Sequence, residues 1–490
     1  MTVSIGRRAT LTGSRSSLES SIEPEVRWYE RPWFRKSITI GFFLLVLIKF
    51  VHSVFFKQND FDVHLAWGRE ALQGTFYGDA QDWQSVFFQY PPGRILFDEL
   101  LSLLPHFFAR GLVFSAAIGS LFVTRSIWRA LAAHVKPAPP TVEFSASACA
   151  FILFAPWVAR DFDECGLHIL LLFMLSMGAR SLYQGARVQA GAWIGLAISY
   201  KVTPLLFLPL LLWKRRFVEA SAAIGFVIVF NFIAPVLVWG PHAAWDAVER
   251  HVRLVQTVMS REDPAENGIE PPRYGNHSLE LAIARYLQTY PPGHQLFIDQ
   301  DYDLRSCTER GVATFDCRAH PLFKQFFALS PATAKRIIVI MILTIAIGMA
   351  WAMRRKWLLA KTPRRAAEYS SLAPEWAVAS VFAAILSPLT WAQHLVLILP
   401  CGYLVIRDLL LRDDQLRVRW LSIGLMFVFV WILKRDMLPM PLYVIVGSYY
   451  GDVLAMLILV VLTLTIQGAI VPAIDSKREG IEINLSQCVN

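Results

Sequence analysis

The chain has 490 residues, of which 55% are hydrophobic and only 17% charged, with a formal net charge of +9. A water-soluble domain of this size carries more charge. Several apolar runs also reach the ~20 residues that span a bilayer, which excludes a soluble globular protein and predicts a polytopic, all-α membrane protein. The basic balance needs no nucleic acid to explain it, because cytoplasmic loops of membrane proteins collect Lys and Arg.

Residues 1–36 are rich in Ser and Arg and read as a cytoplasmic tail, disordered at least to Ser21. Arg31, Arg35 and Lys36 precede the first apolar run, Ile38–Phe56, which reads as a retained signal-anchor with its amino-terminal end inside. It delivers a first outer loop, 57–93, in which Asp60 and Asp62 stand just past the membrane. Phe76, Tyr77, Trp83 and Tyr90 suit a chain lying at the headgroup level. Gly93–Phe108 carries Asp98 and Glu99 and reads as an interfacial helix. Leu112–Ile127 crosses inward to Arg125, Arg129 and Lys136. Phe144–Val158 crosses outward to an acidic turn holding Asp161, Asp163 and Glu164, and Gly166–Leu182 returns to Arg180 and Arg187.

Ala190–Trp213 has basic residues at both ends, Arg187 before it and Lys214-Arg215-Arg216 after it. One span cannot have both ends on the same side. The reading that keeps parity is a pair of short helices broken at Tyr200-Lys201-Val202-Thr203-Pro204, a device tolerated at membrane depth where it lines a watery cavity. The bland alternative is a miscounted span with Lys201 snorkelling to the surface. Phe217–Trp239 then crosses outward to a long outer loop, 240–330, and Ala334–Met353 comes back. Trp376–Leu389 and His394–Leu411 form a tight pair, and Leu421–Leu433 and Leu442–Ile470 finish the bundle, with 471–490 as a cytoplasmic tail. This amounts to about twelve crossings in one membrane domain, 37–470. Six cysteines show no metal-ligand spacing. Cys149, Cys165 and Cys401 read as small core residues. Cys307 and Cys317, ten apart in the long outer loop, are expected to pair as a disulfide.

Under this topology the polar clusters gather on the outer face. They are Asp60/Asp62, the Asp161–Glu164 group, Arg273 to Arg285, and Trp391 to His394, with Lys201 approaching from below. Carboxylates beside His, Lys and Arg at a lipid boundary suit group transfer at a lipid phosphate: an acid takes the acceptor's proton while cations steady the departing phosphate. A lipid-sugar carrier or flippase would use the same groups, but spread through the depth of the bundle.

Several motifs in order then resemble glycosyltransferase family 87 of the GT-C class, whose members use polyprenyl-phosphate sugars. These are Asp60-Phe61-Asp62-Val63-His64 with Gly74 and Tyr77, Tyr90-Pro91-Pro92, Tyr200-Lys201-Val202-Thr203-Pro204, Gly275-Asn276-His277-Ser278-Leu279 with Arg285, and Ser387-Pro388-Leu389-Thr390-Trp391-Ala392-Gln393-His394. His64 stands where Tyr is usual, Gln393 replaces the first His of a pair, and Cys165-Gly166-Leu167-His168 stands where many relatives carry Gly-Gln-x-Asn. The resemblance implies an inverting transfer of a sugar, most often mannose, from a polyprenyl-phosphate donor to a glycolipid or glycan acceptor outside a bacterial inner membrane. By the same resemblance Asp60 is the catalytic base, with Asp62 sharing that role or orienting the acceptor. Tyr90, Lys201, Asn276, Ser278, Arg285, Trp391 and His394 are the candidates for binding donor and substrate. The resemblance allows a divalent metal, but the sequence requires no cofactor and no metal site, since Lys and Arg can neutralise a single phosphate.

Overall fold

Six helices are long and apolar enough to cross a membrane: Pro32–Phe56 (α1), His106–Ala133, Pro140–Asp163, Phe217–Trp239, Pro331–Ala352 and Ala392–Leu411. They come from a computed structural model that describes residues 31–57, 60–74, 90–265, 275–290, 294, 318, 320–354, 357, 371–412, 416–434 and 437–468. Between and around them lie Asp60–Leu72 (α2), Pro92–Ser102 (α3), Leu167–Tyr183 (α6), Arg187–Tyr200 (α7) and Phe207–Trp213 (α8). The spans His106–Val135, Pro140–Asp163 and Phe217–Trp239 are α4, α5 and α9. Among the described residues the only extended pairing outside helices is one bridge, Gln288 to Leu329. The chain is an all-α, polytopic membrane protein.

Burial sorts the spans. Phe217–Trp239 and Pro331–Ala352 bury only 11% of their most apolar windows, whereas Ala392–Leu411 buries 89%. Helices that expose Leu237 and Ile347 find a compatible solvent in lipid. Ala392–Leu411 is therefore the axis of the bundle, packed on α5 and on Leu372–Ile385. Prolines at the first helical turn of α1, α3 and α5 start these elements where a missing N–H costs nothing.

The broken pair predicted at Tyr200–Pro204 is present. α7 stops at Tyr200, Lys201 is extended (φ −152°, ψ 136°), and a 3-10 turn over Thr203–Leu206 leads into α8. Gly191 and Gly195 let α9 approach closely. A Cβ on Gly191 would lie 2.5 Å from the Glu219 carbonyl oxygen, and one on Gly195 2.7 Å from that of Ala223. Along this seam Gly191 meets Glu219, Gly195 meets Ala223, and Ser199 meets Asn231. The contacts advance in the same sense on both helices, so α7 and α9 run parallel, and the stretch from Thr203 to Trp213 is the return stroke between them. α7 rises ~21 Å, and α9 continues ~12 Å past Asn231. Lys201 is thus held below the end of the bundle.

Three expectations change in detail. Asp60 and Asp62 begin a helix rather than a loop, because Phe61, Leu65 and Ala71 supply a buried stripe against the rest of the fold. Asp161 and Asp163 belong to the last turn of α5, and the chain reverses through Cys165 and Gly166, both with positive φ. The final span is interrupted: Met440–Gly447 ends before Gly451–Gly468, with Tyr450 left-handed between them. Cys149 and Cys401 are free thiols, the second buried, and Cys165 is buried in the reversal. Cys307 and Cys317 lie outside the described residues.

Candidate active site

The reversal at Cys165-Gly166 turns the Asp161 carboxylate onto the amino-terminal end of α6. It accepts the backbone N–H groups of His168 (3.1 Å) and Ile169 (2.9 Å), donors that no residue within the helix can satisfy. The same carboxylate takes the Nδ1–H of His168 (2.9 Å), which fixes that ring's tautomer and leaves Nε2 to accept. Lys201 Nζ lies 3.0 Å from this Nε2 and 2.8 Å from Nε2 of His394. The two imidazoles pack on each other beside the lysine, tilted by 42° with ring centroids 4.3 Å apart. Among the described residues no carboxylate lies within ion-pair distance of Lys201, whose side chain is half-buried.

His394 is placed by the turn before it. Asn276 donates Nδ2–H to the Pro388 carbonyl (2.8 Å) and accepts the Thr390 N–H (2.9 Å) and the Ser278 N–H (3.2 Å). The His277 N–H reaches the Thr390 carbonyl (2.6 Å), and its ring pairs with Asp452. Ser278 caps the helix Leu279–Leu287 through the Leu281 N–H (3.2 Å). The side chain of Asn276 is thus engaged in docking the 387–391 turn, and the Ser278 hydroxyl in capping its own helix. The Trp391 ring covers Gly275, and the Trp391 backbone N–H donates to Nδ1 of His394 (3.2 Å). Arg285 is fully buried beneath the rings of Phe323 (4.1 Å) and Tyr449 (5.0 Å) and donates to the Lys324 carbonyl (3.1 Å). These contacts tie it to the 320–329 segment and to Tyr449.

The two loop aspartates part company. Asp62 is held by Arg110, whose Nε donates to Oδ1 (2.8 Å) and whose Nη2 meets Oδ2, and by His106 (2.7 Å). Asp60 is exposed, and its carboxylate has no hydrogen-bond or ion-pair partner among the described residues. Its N–H donates to Glu164 Oε2 (2.7 Å). Burial, with Asp60 beside it, pushes the Glu164 carboxyl above its usual range. A cleft of about 740 Å³ runs past Asp60 and Asp62 between Lys57, His106, Arg110 and the exposed rings of Phe55, Phe56 and Phe107.

Three residues that sequence reasoning missed complete the centre. Arg94 Nε donates to both oxygens of Asp98 (2.9 and 3.0 Å), and His64 Nδ1 lies 2.9 Å from the same carboxylate. Tyr90 packs edge-on against His64 at 4.7 Å. All of Arg94, Asp98 and His64 are buried. The four-residue spacing of Arg94 and Asp98 was a readable signal for an intrahelical ion pair. Among the described residues no three His, Cys, Asp or Glu side chains converge as a metal ligand set.

Residues 88–298 match the family model of glycosyltransferase family 87. Over this segment, less than half of the chain, the protein is similar to glycosyltransferase family 87. The matched segment contains the Tyr90-Pro91-Pro92 turn, the Lys201 break and the Asn276 motif. Asp60 and the Ser387–His394 turn lie outside it. No curated protein and no solved structure matches the chain.

Proposed function

We propose that this protein is a glycosyltransferase like those of family 87, which takes a sugar from a polyprenyl-phosphate donor whose phosphate sits at Lys201, and passes it with inversion to a membrane-associated acceptor whose hydroxyl is deprotonated by Asp60. The observation that carries the reading is a half-buried lysine gripped by two imidazoles, with no carboxylate within ion-pair distance among the described residues. A cation set in low dielectric without a counter-charge attracts an anion. Asp60, close enough to Lys201 to feel its charge, has the unengaged carboxylate that a general base needs. Asp62, tied to Arg110, orients this end of α2. In this reading Tyr90, Trp391 and His394 line the donor and sugar, while Asn276, Ser278 and Arg285 support them from behind.

In this reading the Lys201 end of the bundle faces outward from a bacterial inner membrane, which the basic flanks of the spans support, and the chain makes about twelve crossings counting α7 and the stretch Thr203–Trp213 as two short ones. Mannose is the sugar the family resemblance favours. The enclosing disulfide, Cys307 with Cys317, belongs to the same outer-face reading; in the chain-entropy model it stabilises by roughly 2–3 kcal/mol. Mass spectrometry of the non-reduced protein should show the pair linked.

The test is transfer by purified protein from radiolabelled polyprenyl-phosphate sugars to a membrane-lipid extract. Wild type should yield a labelled lipid product, and Lys201→Met should need much more donor while remaining folded. Unchanged donor dependence in a folded Lys201→Met protein would remove the phosphate from this position. Labelled donor crossing a vesicle bilayer with no product formed would favour a carrier.

A further inference from the structure

We infer that Arg94 and Tyr200 form a second arm of the anion site, their Arg94 Nη2 and Tyr200 Oη donating to the donor-lipid phosphate beside Lys201. The inference rests on the reading that Lys201 holds that phosphate.

Arg94 is only 1% exposed, and most of what surrounds it is accounted for. Its Nε is engaged by Asp98, and its guanidinium lies over the Tyr200 ring at 4.2 Å, with Tyr90 at 5.6 Å and Phe97 at 5.7 Å. Yet its buried Nη2 has no hydrogen-bond partner, and neither has the buried hydroxyl of the same Tyr200. A donor buried without a partner is disfavoured, and such groups are scarce in folded proteins. Here two of them belong to residues in direct contact, one of which is the immediate neighbour of Lys201.

Arg94 uses Nε to lock itself on Asp98, which His64 in turn braces. Its Nη2, next to Nε on the guanidinium, is left over, and such an N–H is suited to a phosphate oxygen. One joint also positions both residues. Asn231, in a π-helical turn of α9, accepts the Gly93 N–H (3.0 Å) and donates to Ser199 Oγ (2.7 Å). The residues adjoining Arg94 and Tyr200 are thereby fastened to one side chain. Arg94 also lies close enough to Lys201 for their charges to interact. Two like charges held together without an intervening anion are poised for one.

The variant that separates binding from folding is Tyr200→Phe, which keeps the ring under Arg94 and removes only the orphaned oxygen. Arg94→Gln is the harsher variant, because it strands Asp98. Binding of farnesyl phosphate to the full-length protein in detergent would be measured by calorimetry for wild type, Lys201→Met, Tyr200→Phe and Arg94→Gln, together with donor KM and kcat. Tyr200→Phe is expected to weaken farnesyl phosphate about tenfold, as for one hydrogen bond to a charged acceptor. Donor KM should rise by a similar factor, with the melting temperature unchanged or higher. Wild-type affinity in Tyr200→Phe, with weakened binding in Lys201→Met, would overturn this inference and leave the Lys201 reading standing. Absence of saturable binding by wild type would overturn both.

Discussion

The two ends of the bundle hold the same kinds of residue in opposite states. At the end away from Lys201, three buried carboxylates are each paired with cations or N–H and O–H donors of the fold. Glu143 accepts from Arg407 (3.0 and 2.8 Å) and from the Tyr403 hydroxyl, Glu375 meets Lys214 and the Trp357 N–H, and Asp408 meets Arg412 (2.8 Å) and Arg419. At the Lys201 end, a lysine leans on two imidazoles, a buried guanidinium keeps a spare N–H, and an aspartate stands unengaged. A charge inside a membrane protein is costly wherever it lies. Closed clusters offset that cost within the fold. Open ones leave it to be offset by a ligand, and that difference, rather than the presence of charge, is what separates a site from a joint.

The largest expected effect comes from the two aspartates at the open end. Asp60→Asn keeps size and most hydrogen bonding but cannot take a proton. Loss of a general base costs about 10²–10⁴-fold, so kcat should fall by that much with donor binding retained. Asp62→Asn should act on stability instead, because it releases Arg110, and its kcat per folded molecule should fall far less. Turnover and thermal unfolding measured on both variants decide this. Near-normal turnover in Asp60→Asn with a dead Asp62→Asn would reverse the assignment of open and closed carboxylates.

The closed end gives the converse experiment. Arg407→Met strands Glu143 in the bundle, and breaking a buried pair by removing one partner costs roughly 3–5 kcal/mol. The melting temperature in detergent should drop clearly, while donor KM of the protein that remains folded should not move. A raised KM with intact stability would show that the far end is coupled to the site and that the contrast between the two ends is false.

How much of this contrast was legible beforehand depended on range. The break at Tyr200–Pro204 could be read because its evidence is local: basic residues on both sides of a run too short for two full spans. The asymmetry of Asp60 and Asp62 could not, since only folding brings Arg110 to one of them. Asp161 looked like one of three solvated acids in a turn, yet it is fully buried because the Cys165-Gly166 reversal delivers it to the start of α6. Arg94 was hidden by its surroundings. Its i,i+4 partner suggests an exposed helix pair, and burial comes from the α2–α3 packing, where Gly68 lies against the backbone of Asp98.

The smallest effect sharpens the edge of the open end. His64 is buried beside Asp98 and Arg94. Burial first, and Arg94 second, lower its pKa, and Asp98 opposes them without prevailing. The folded protein therefore keeps the ring neutral where the unfolded chain, with a value near ~6.5, binds a proton. Between the two values the unfolded state carries more protons, so stability rises with pH there. The contribution is present above about pH 6.5 and is lost as pH falls through the folded-state value. Melting temperatures from pH 8 to pH 5 should decline on the acid side, and the decline should be shallower in His64→Asn, which keeps a polar contact to Asp98 but does not titrate. An identical slope in the variant would mean that His64 shares the charge of its cluster, and that this part of the open end is as closed as Glu143 and Arg407.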